Sequence, residues 1–245
     1  MFSASDRFLI ADCHLDGSRP GLNTLFTEFL HAIQGAGELW ILGDFVEYWL
    51  GDDAGNPALN PVFDALAATQ AAGTDVHLMR GNRDFLLGES FAERLGVKVH
   101  TADEVLIPFG DENVLLMHGD TLCTDDADYQ QLRRLLRSEN WQQNFLSLSV
   151  QERIETAQEL RSQSKAASAD KSQDIMDVND QQVRDTLART EVHTLIHGHT
   201  HRPNTHALDV NAKRCERIVV GDWHDDHAVV AHSSGDGVCL RTYPF

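Results

Sequence analysis

Cysteine is scarce, with four among 245 residues, at positions 13, 123, 215 and 239, and none in a Cys-x-x-Cys pair. That excludes a disulfide scaffold and a thiolate metal site. The first seven residues lack a basic segment followed by an apolar stretch, so no export signal and reduced thiols are expected. Cys13 and Cys123 read as small packing residues. Positive charge is also in short supply: 20 Lys and Arg stand against 38 Asp and Glu, a net charge of −18. A surface this acidic repels polyanions, which argues against nucleic acid as a partner. An anionic small substrate would need local neutralisation, which bound metal ions could provide. No apolar run approaches the ~18 residues of a membrane span. Proline is rare, at 6 residues, while 42% of the chain is apolar, so a sizeable folded core is expected and disorder is not.

Short apolar runs alternate with helical periodicity. Residues 8–11, 39–42, 76–79, 105–107, 114–117 and 192–196 read as strands. Residues 22–33, 62–72 and 85–95 read as helices, and 217–220, 227–231 and 237–240 as closing antiparallel strands. Alternating strands and helices predict an α/β fold with parallel pairing. Between about 126 and 177 strand signals vanish and leucines recur at helical spacing. The expected organisation is one α/β body, 1–125 and 178–245, with a helical insertion over 126–177.

Five of the strands end in polar clusters. These are Asp12-Cys13-His14, Gly43-Asp44, Gly81-Asn82-Arg83-Asp84, His118-Gly119-Asp120 and His197-Gly198-His199-Thr200-His201. Each alone is an ordinary turn or cap; five in series, each after a strand, are not. Ligands of α/β sheets bind outside the carboxyl ends of the strands, so parallel strands would bring these clusters into one crevice. Imidazole, carboxylate and amide oxygen together suit Mn, Fe, Co or Zn. Asp12, His14, Asp44, Asn82, His118, His197 and His199 are too many ligands for one tetrahedral ion. They suit two ions about 3.5–4 Å apart sharing a carboxylate. Asp44, alone on its strand end, is the expected bridge. The two histidines nearest the strand end, His197 and His199, are the expected ligands of the late cluster. His201 is left for a role behind the ligands or on the substrate.

Together these clusters resemble the signature of the calcineurin-like metallophosphoesterases. The longer runs around them narrow the likeness: Leu42-Gly43-Asp44-x-x-Glu47-Tyr48-Trp49-x-Gly51-Asp52-Asp53, the run from His118 to Asp126, and His197 to Pro203. These are similar to the branch of that family that hydrolyses UDP-2,3-diacylglucosamine. The resemblance implies a four-layer αββα sandwich with a helical lid. It implies two Mn²⁺ ions, one held by Asp12, His14, Asp44 and His199, the other by Asp44, Asn82, His118 and His197. Catalytic roles fall on Asp44, Asn82, Arg83 and His118. Substrate contacts fall on Asn82, Arg83, Asp126, Ser164, Ser168, Lys171 and His197. The implied reaction opens the pyrophosphate of UDP-2,3-diacylglucosamine to UMP and 2,3-diacylglucosamine 1-phosphate, in lipid A biosynthesis. The implied setting is a peripheral monomer on the cytoplasmic side of the inner membrane. Cys13 stands where that branch has leucine, and Ser168 where it has asparagine. Two other readings stay open: hydrolysis of a soluble nucleotide diphosphate, and a non-catalytic scaffold.

The insertion is locally basic, with a net +2 from Tyr129 to Lys171 in a chain of −18. A basic, leucine-rich segment bearing Trp141 could hold acyl chains and touch an anionic membrane. The alternative is three amphipathic helices that only support the body.

Overall fold

Side-chain alternation along three parallel strands, β1 (Arg7–Ile10), β2 (Glu38–Leu42) and β3 (Asp75–Met79), sets the layers. Phe8, Ile10, Leu39, Ile41, Val76 and Leu78 point to one face. There they pack against α1 (Pro20–Ala32), α2 (Asn60–Ala71) and α3 (Glu89–Leu95) in the main apolar core. Leu9, Trp40, Leu42 and Met79 point the other way, into a second core shared with a second sheet. Strands buried on both faces must be apolar at nearly every position, as these are. The computed structural model describes residues 2–169, 177–235 and 237–245.

The first sheet continues from β3 to β4 (Lys98–His100). On the other side of β1 lie β11 (Ala228–Ser233), β10 (Gly221–Trp223) and β12 (Val238–Tyr243), with β11 antiparallel to β1. The second sheet has the order β5 (Glu104–Phe109), β6 (Glu112–Met117), β7 (Thr194–His197), β9 (Lys213–Val219), β8 (Asn204–Val210). Its outer face buries Leu115, Met117 and Leu195 beneath Val183 and Leu187 of α7 (Asp180–Thr190). The four layers are therefore helices, sheet, sheet, helix.

Three details depart from the sequence reading. Residues 105–107 and 114–117 do not extend a single sheet; β5 and β6 form an antiparallel pair in the second one. The run 217–220 belongs to β9, which is parallel to β7 and antiparallel only to β8. Strands β4 and β8 carry too few apolar residues to register as strands. Both lie at sheet edges, where half the surface meets solvent and backbone pairing decides the conformation.

The helical insertion is α4 (Ala127–Leu136), α5 (Glu139–Ser147) and α6 (Val150–Ala169). Asp126 caps α4 by accepting the Tyr129 N–H, and Ser138 caps α5 by accepting that of Trp141. Arg153, only 4% exposed, pins α6 to the loop after β2. Its guanidinium donates to both oxygens of Asp53, at 2.6 and 2.8 Å, and to the carbonyls of Leu50 and Leu146. Phe145 and Ile154 join the main core beside Trp49 and Phe91, so the insertion is packed on the body rather than suspended from it.

Candidate metal centre

The five clusters follow β1, β2 and β3 of one sheet and β6 and β7 of the other. Parallel pairing within each sheet puts their tips at the same rim. The backbone turns sharply there. Asp12, His14, Asp44, His199 and His201 all have φ between 46° and 68°, a region that residues with a Cβ rarely occupy. A Cβ on Gly81 would lie 2.2 Å from Asp44 Oδ1, so only glycine lets the loop after β3 reach the one after β2.

The polar atoms gather in two groups around Asp44. In the first, His14 Nε2 lies 3.2 Å from His201 Nε2. Asp12 Oδ1 is 3.8 Å from His201 Nε2, and Asp44 Oδ2 is 3.6 Å from His14 Nε2. In the second, Asn82 Oδ1 is 2.9 Å from both His118 Nε2 and His199 Nδ1, and Asp44 Oδ1 is 3.7 Å from His118 Nε2. The two Asp44 oxygens thus face different groups, the placement a bridging carboxylate needs.

Electrostatics make this arrangement unfavourable without added positive charge. Burial, then the neighbouring Asp44, push the Asp12 carboxyl well above the usual range. Burial also raises Asp44. Burial lowers His118, and burial plus neighbouring histidines lower His199 and His201 to about 4. His118, His199 and His201 are therefore neutral lone-pair donors at pH 7. Asp12 Oδ1 is buried with no hydrogen-bond partner among the described residues, while Oδ2 accepts the His199 N–H at 2.7 Å. His118 Nδ1 donates to the Leu42 carbonyl at 2.9 Å, which leaves Nε2 with its lone pair facing the group. Imidazole, carboxylate and amide oxygen, crowded and short of cations, fit divalent metal ions.

Neighbouring groups hold the cradle in shape. Asp84 accepts the N–H groups of Gly81 and Phe45, each at 2.7 Å, and so ties two of the loops together. Burial and Asp44 raise its pKa to about 6. The Arg83 N–H donates to Asp44 Oδ1 at 2.8 Å. Asp120 is buried, yet His118 and Arg133 keep its carboxyl ionised well below the usual range. It accepts from Tyr129 Oη at 2.9 Å and Arg133 Nε at 2.6 Å.

Of the expected ligands, Asp12, His14, Asp44, Asn82, His118 and His199 converge; His197 does not. His197 Nδ1 donates to the Gly198 carbonyl at 2.8 Å, and Nε2 faces Arg217 Nη1 at 3.2 Å. Fully buried and flanked by a guanidinium, it is held neutral, with a pKa near 3. Both ring nitrogens thus have protein partners in this arrangement. His201 stands in its place, so the pair facing the cradle is displaced by two residues. The reason is local: His197 is the last residue of β7 and its side chain remains in the sheet, whereas Gly198 and the left-handed residues after it turn the chain toward Asp12.

Arg83 lines a cavity of about 550 Å³ that opens from the cradle at Asn82 and Glu47. Trp49, Leu86, Leu136, Trp141 and Ile154 form its apolar wall. Tyr129, Arg133, Arg137 and Arg161 from the insertion also line it. The first three lie four residues apart along α4 and its C-terminal cap, a spacing that would have pointed to them. The Asp126 carboxylate serves as the cap of α4. The side chains of Ser164 and Ser168, and all of Lys171, lie outside the described residues.

The calcineurin-like phosphoesterase family matches residues 8–203, which span all five clusters. The chain belongs to that family. It is a hydrolase of that family, in keeping with its relatives. A UDP-2,3-diacylglucosamine hydrolase of Aromatoleum aromaticum is 48% identical, covering 95% of each chain. That of Stenotrophomonas maltophilia K279a is 44% identical, over 92% of this phosphoesterase and 94% of its own length. That of Serratia proteamaculans is 41% identical, over 96% and 98%. Among solved structures, a dimetal phosphatase from Danio rerio shares the fold. It has a TM-score of 0.50 and 15% identity, covering 97% of this phosphoesterase and 95% of its own chain.

Proposed function

We propose that this phosphoesterase hydrolyses the pyrophosphate of UDP-2,3-diacylglucosamine, releasing UMP and 2,3-diacylglucosamine 1-phosphate for lipid A biosynthesis. The observation that carries the reading is the continuity of the cradle with an apolar cavity under the insertion. A substrate with a charged pyrophosphate and two acyl chains needs both in one place. The curated relatives named for that activity support it along nearly their whole length.

The proposed ligands are Asp12, His14, Asp44 and His201 for one cation, and Asp44, Asn82, His118 and His199 for the other. Manganese is the proposed metal, consistent with an oxygen and imidazole donor set. Bound there, the pair would supply Lewis acidity, polarising the phosphoryl oxygens and acidifying water. The chain's own part is to bind and orient. Arg83 can give two parallel hydrogen bonds to a phosphate. Arg133, Arg137 and Arg161 set positive charge along the cavity for an anionic substrate. The leaving group is a sugar phosphate, far less basic than an alkoxide, so no general acid is assigned.

The insertion acts as the lid, in the proposed division at 126–177. Leu135, Leu146 and Val150, at 54%, 38% and 41% exposed, present apolar surface on it. That is consistent with contact with a membrane face; the proposed setting is peripheral, on the cytoplasmic side of the inner membrane, as a monomer. No helix among the described residues is long and apolar enough to cross a membrane. The test is Mn²⁺-dependent release of UMP from UDP-2,3-diacylglucosamine beside a soluble UDP-sugar. Asp44→Ala should lose at least about 100-fold in rate, since it deprives both cations of a ligand. Equal turnover of the soluble sugar nucleotide would overturn the lipid assignment.

A further inference from the structure

Glu47 lies between the cradle and the lid. It follows β2 by five residues and is held there by its N–H bond to the Leu15 carbonyl, 3.1 Å. One carboxylate oxygen, Oε2, lies 2.9 Å from His14 Nδ1, a close contact off the line of an aligned hydrogen bond. The other, Oε1, lies 2.5 Å from Arg161 Nη2 on α6. The Glu47 side chain is 17% exposed, so both contacts are shielded on the carboxylate side.

From this geometry we infer that Glu47 is a positioning residue that couples the lid helix to the cation cradle. It orients His14 through its Nδ1 side, the side away from the Nε2 that faces Asp44. A carboxylate behind a ligating imidazole fixes the ring and makes it a stronger donor. Because the same carboxylate also holds Arg161, seating α6 over the cavity and setting His14 become one event. Coupling of this kind is reciprocal. A cation in the cradle steadies α6, and an ordered α6 raises the affinity of the cradle. The inference rests on the proposed cation site and adds a residue pair, remote from the second ligand group, that tunes it.

The measurement is Mn²⁺ binding alone, by titration calorimetry, on the whole chain without substrate. Glu47→Gln should weaken the His14-side cation roughly 10-fold. Arg161→Gln, with a side chain 57% exposed, should weaken it by a smaller factor, about threefold, although it touches no ligand. Arg161→Lys should restore most of that loss. The double variant should bind like Glu47→Gln, because the Arg161 effect passes through Glu47. Wild-type affinity in Arg161→Gln, or losses that add in the double variant, would overturn the coupling and leave the cation site standing. A wild-type chain that takes up no Mn²⁺ would instead overturn the cradle reading beneath it. If Glu47→Gln melts too early to titrate, the Arg161 substitutions still decide, since that side chain is 57% exposed and outside the apolar core.

Discussion

His201 and His197 differ in what their ring nitrogens face. His201 is directed at Asp12 and His14, whereas both nitrogens of His197 are engaged by Gly198 and Arg217. His201→Ala should therefore lose one Mn²⁺ per chain and roughly 100-fold or more in UMP release while its melting temperature without metal changes little. His197→Gln should keep both cations and be less stable, because it disturbs the partner of the buried Arg217 guanidinium. Metal analysis and thermal melts separate the two. A second residue-scale test concerns His77 and His100. Their rings stack, with Nδ1 and Nε2 3.0 Å apart, and His77 stacks on Trp40 at 3.9 Å. Asp75, Lys98 and Glu38 surround the pair, and burial keeps both histidines below their ordinary pKa. A depressed histidine pKa means the unfolded chain takes up protons first. Stability present above about pH 6.5 should thus be lost as pH falls through that value. His100→Gln should show a smaller drop in melting temperature between about pH 7.5 and about pH 5.5 than the wild type.

At the scale of elements, the proposed role of the insertion in selecting a lipid substrate can be tested at one side chain. Trp141 stacks on Phe145 with centroids 4.8 Å apart and lines the cavity, while Phe145 is 5% exposed and part of the core. Trp141→Gln is the cleaner change. It should lower kcat/KM for the diacyl substrate about 10-fold, as expected from losing one large apolar contact, with turnover of a water-soluble phosphodiester nearly unchanged. Equal losses on both substrates would make the insertion a support for the fold and nothing more. Helical spacing of the leucines was readable in advance over this stretch, because it is local. Edge strands β4 and β8 were not, because their hydrogen bonds come from residues distant in sequence.

Across the whole molecule, charge is distributed unevenly. A chain of −18 places Arg83, Arg133, Arg137 and Arg161 around one cavity. At its mouth it buries Asp12, Asp44 and Asp84, which repel one another. Bound cations relieve that repulsion and bind only the folded chain. At about 100 times its dissociation constant each cation should add about 2.7 kcal/mol and raise the melting temperature by roughly 5–10 °C, reversed by EDTA. Calorimetric scans with and without chelator would check this.

From the residues alone came the α/β class and the family likeness, and six of the seven side chains that converge on the cradle were singled out, because alternation and strand-end clusters are written locally. The choice between His197 and His201 was not. In the sequence both flank the same Gly-His-Thr segment; the end of β7, a sharp left-handed turn and the position of Arg217 across the sheet determine which imidazole meets Asp12. Nor could periodicity reveal the division into two sheets or the link from Glu47 to α6. Those depend on contacts between segments far apart along the chain, which only the packed fold brings together.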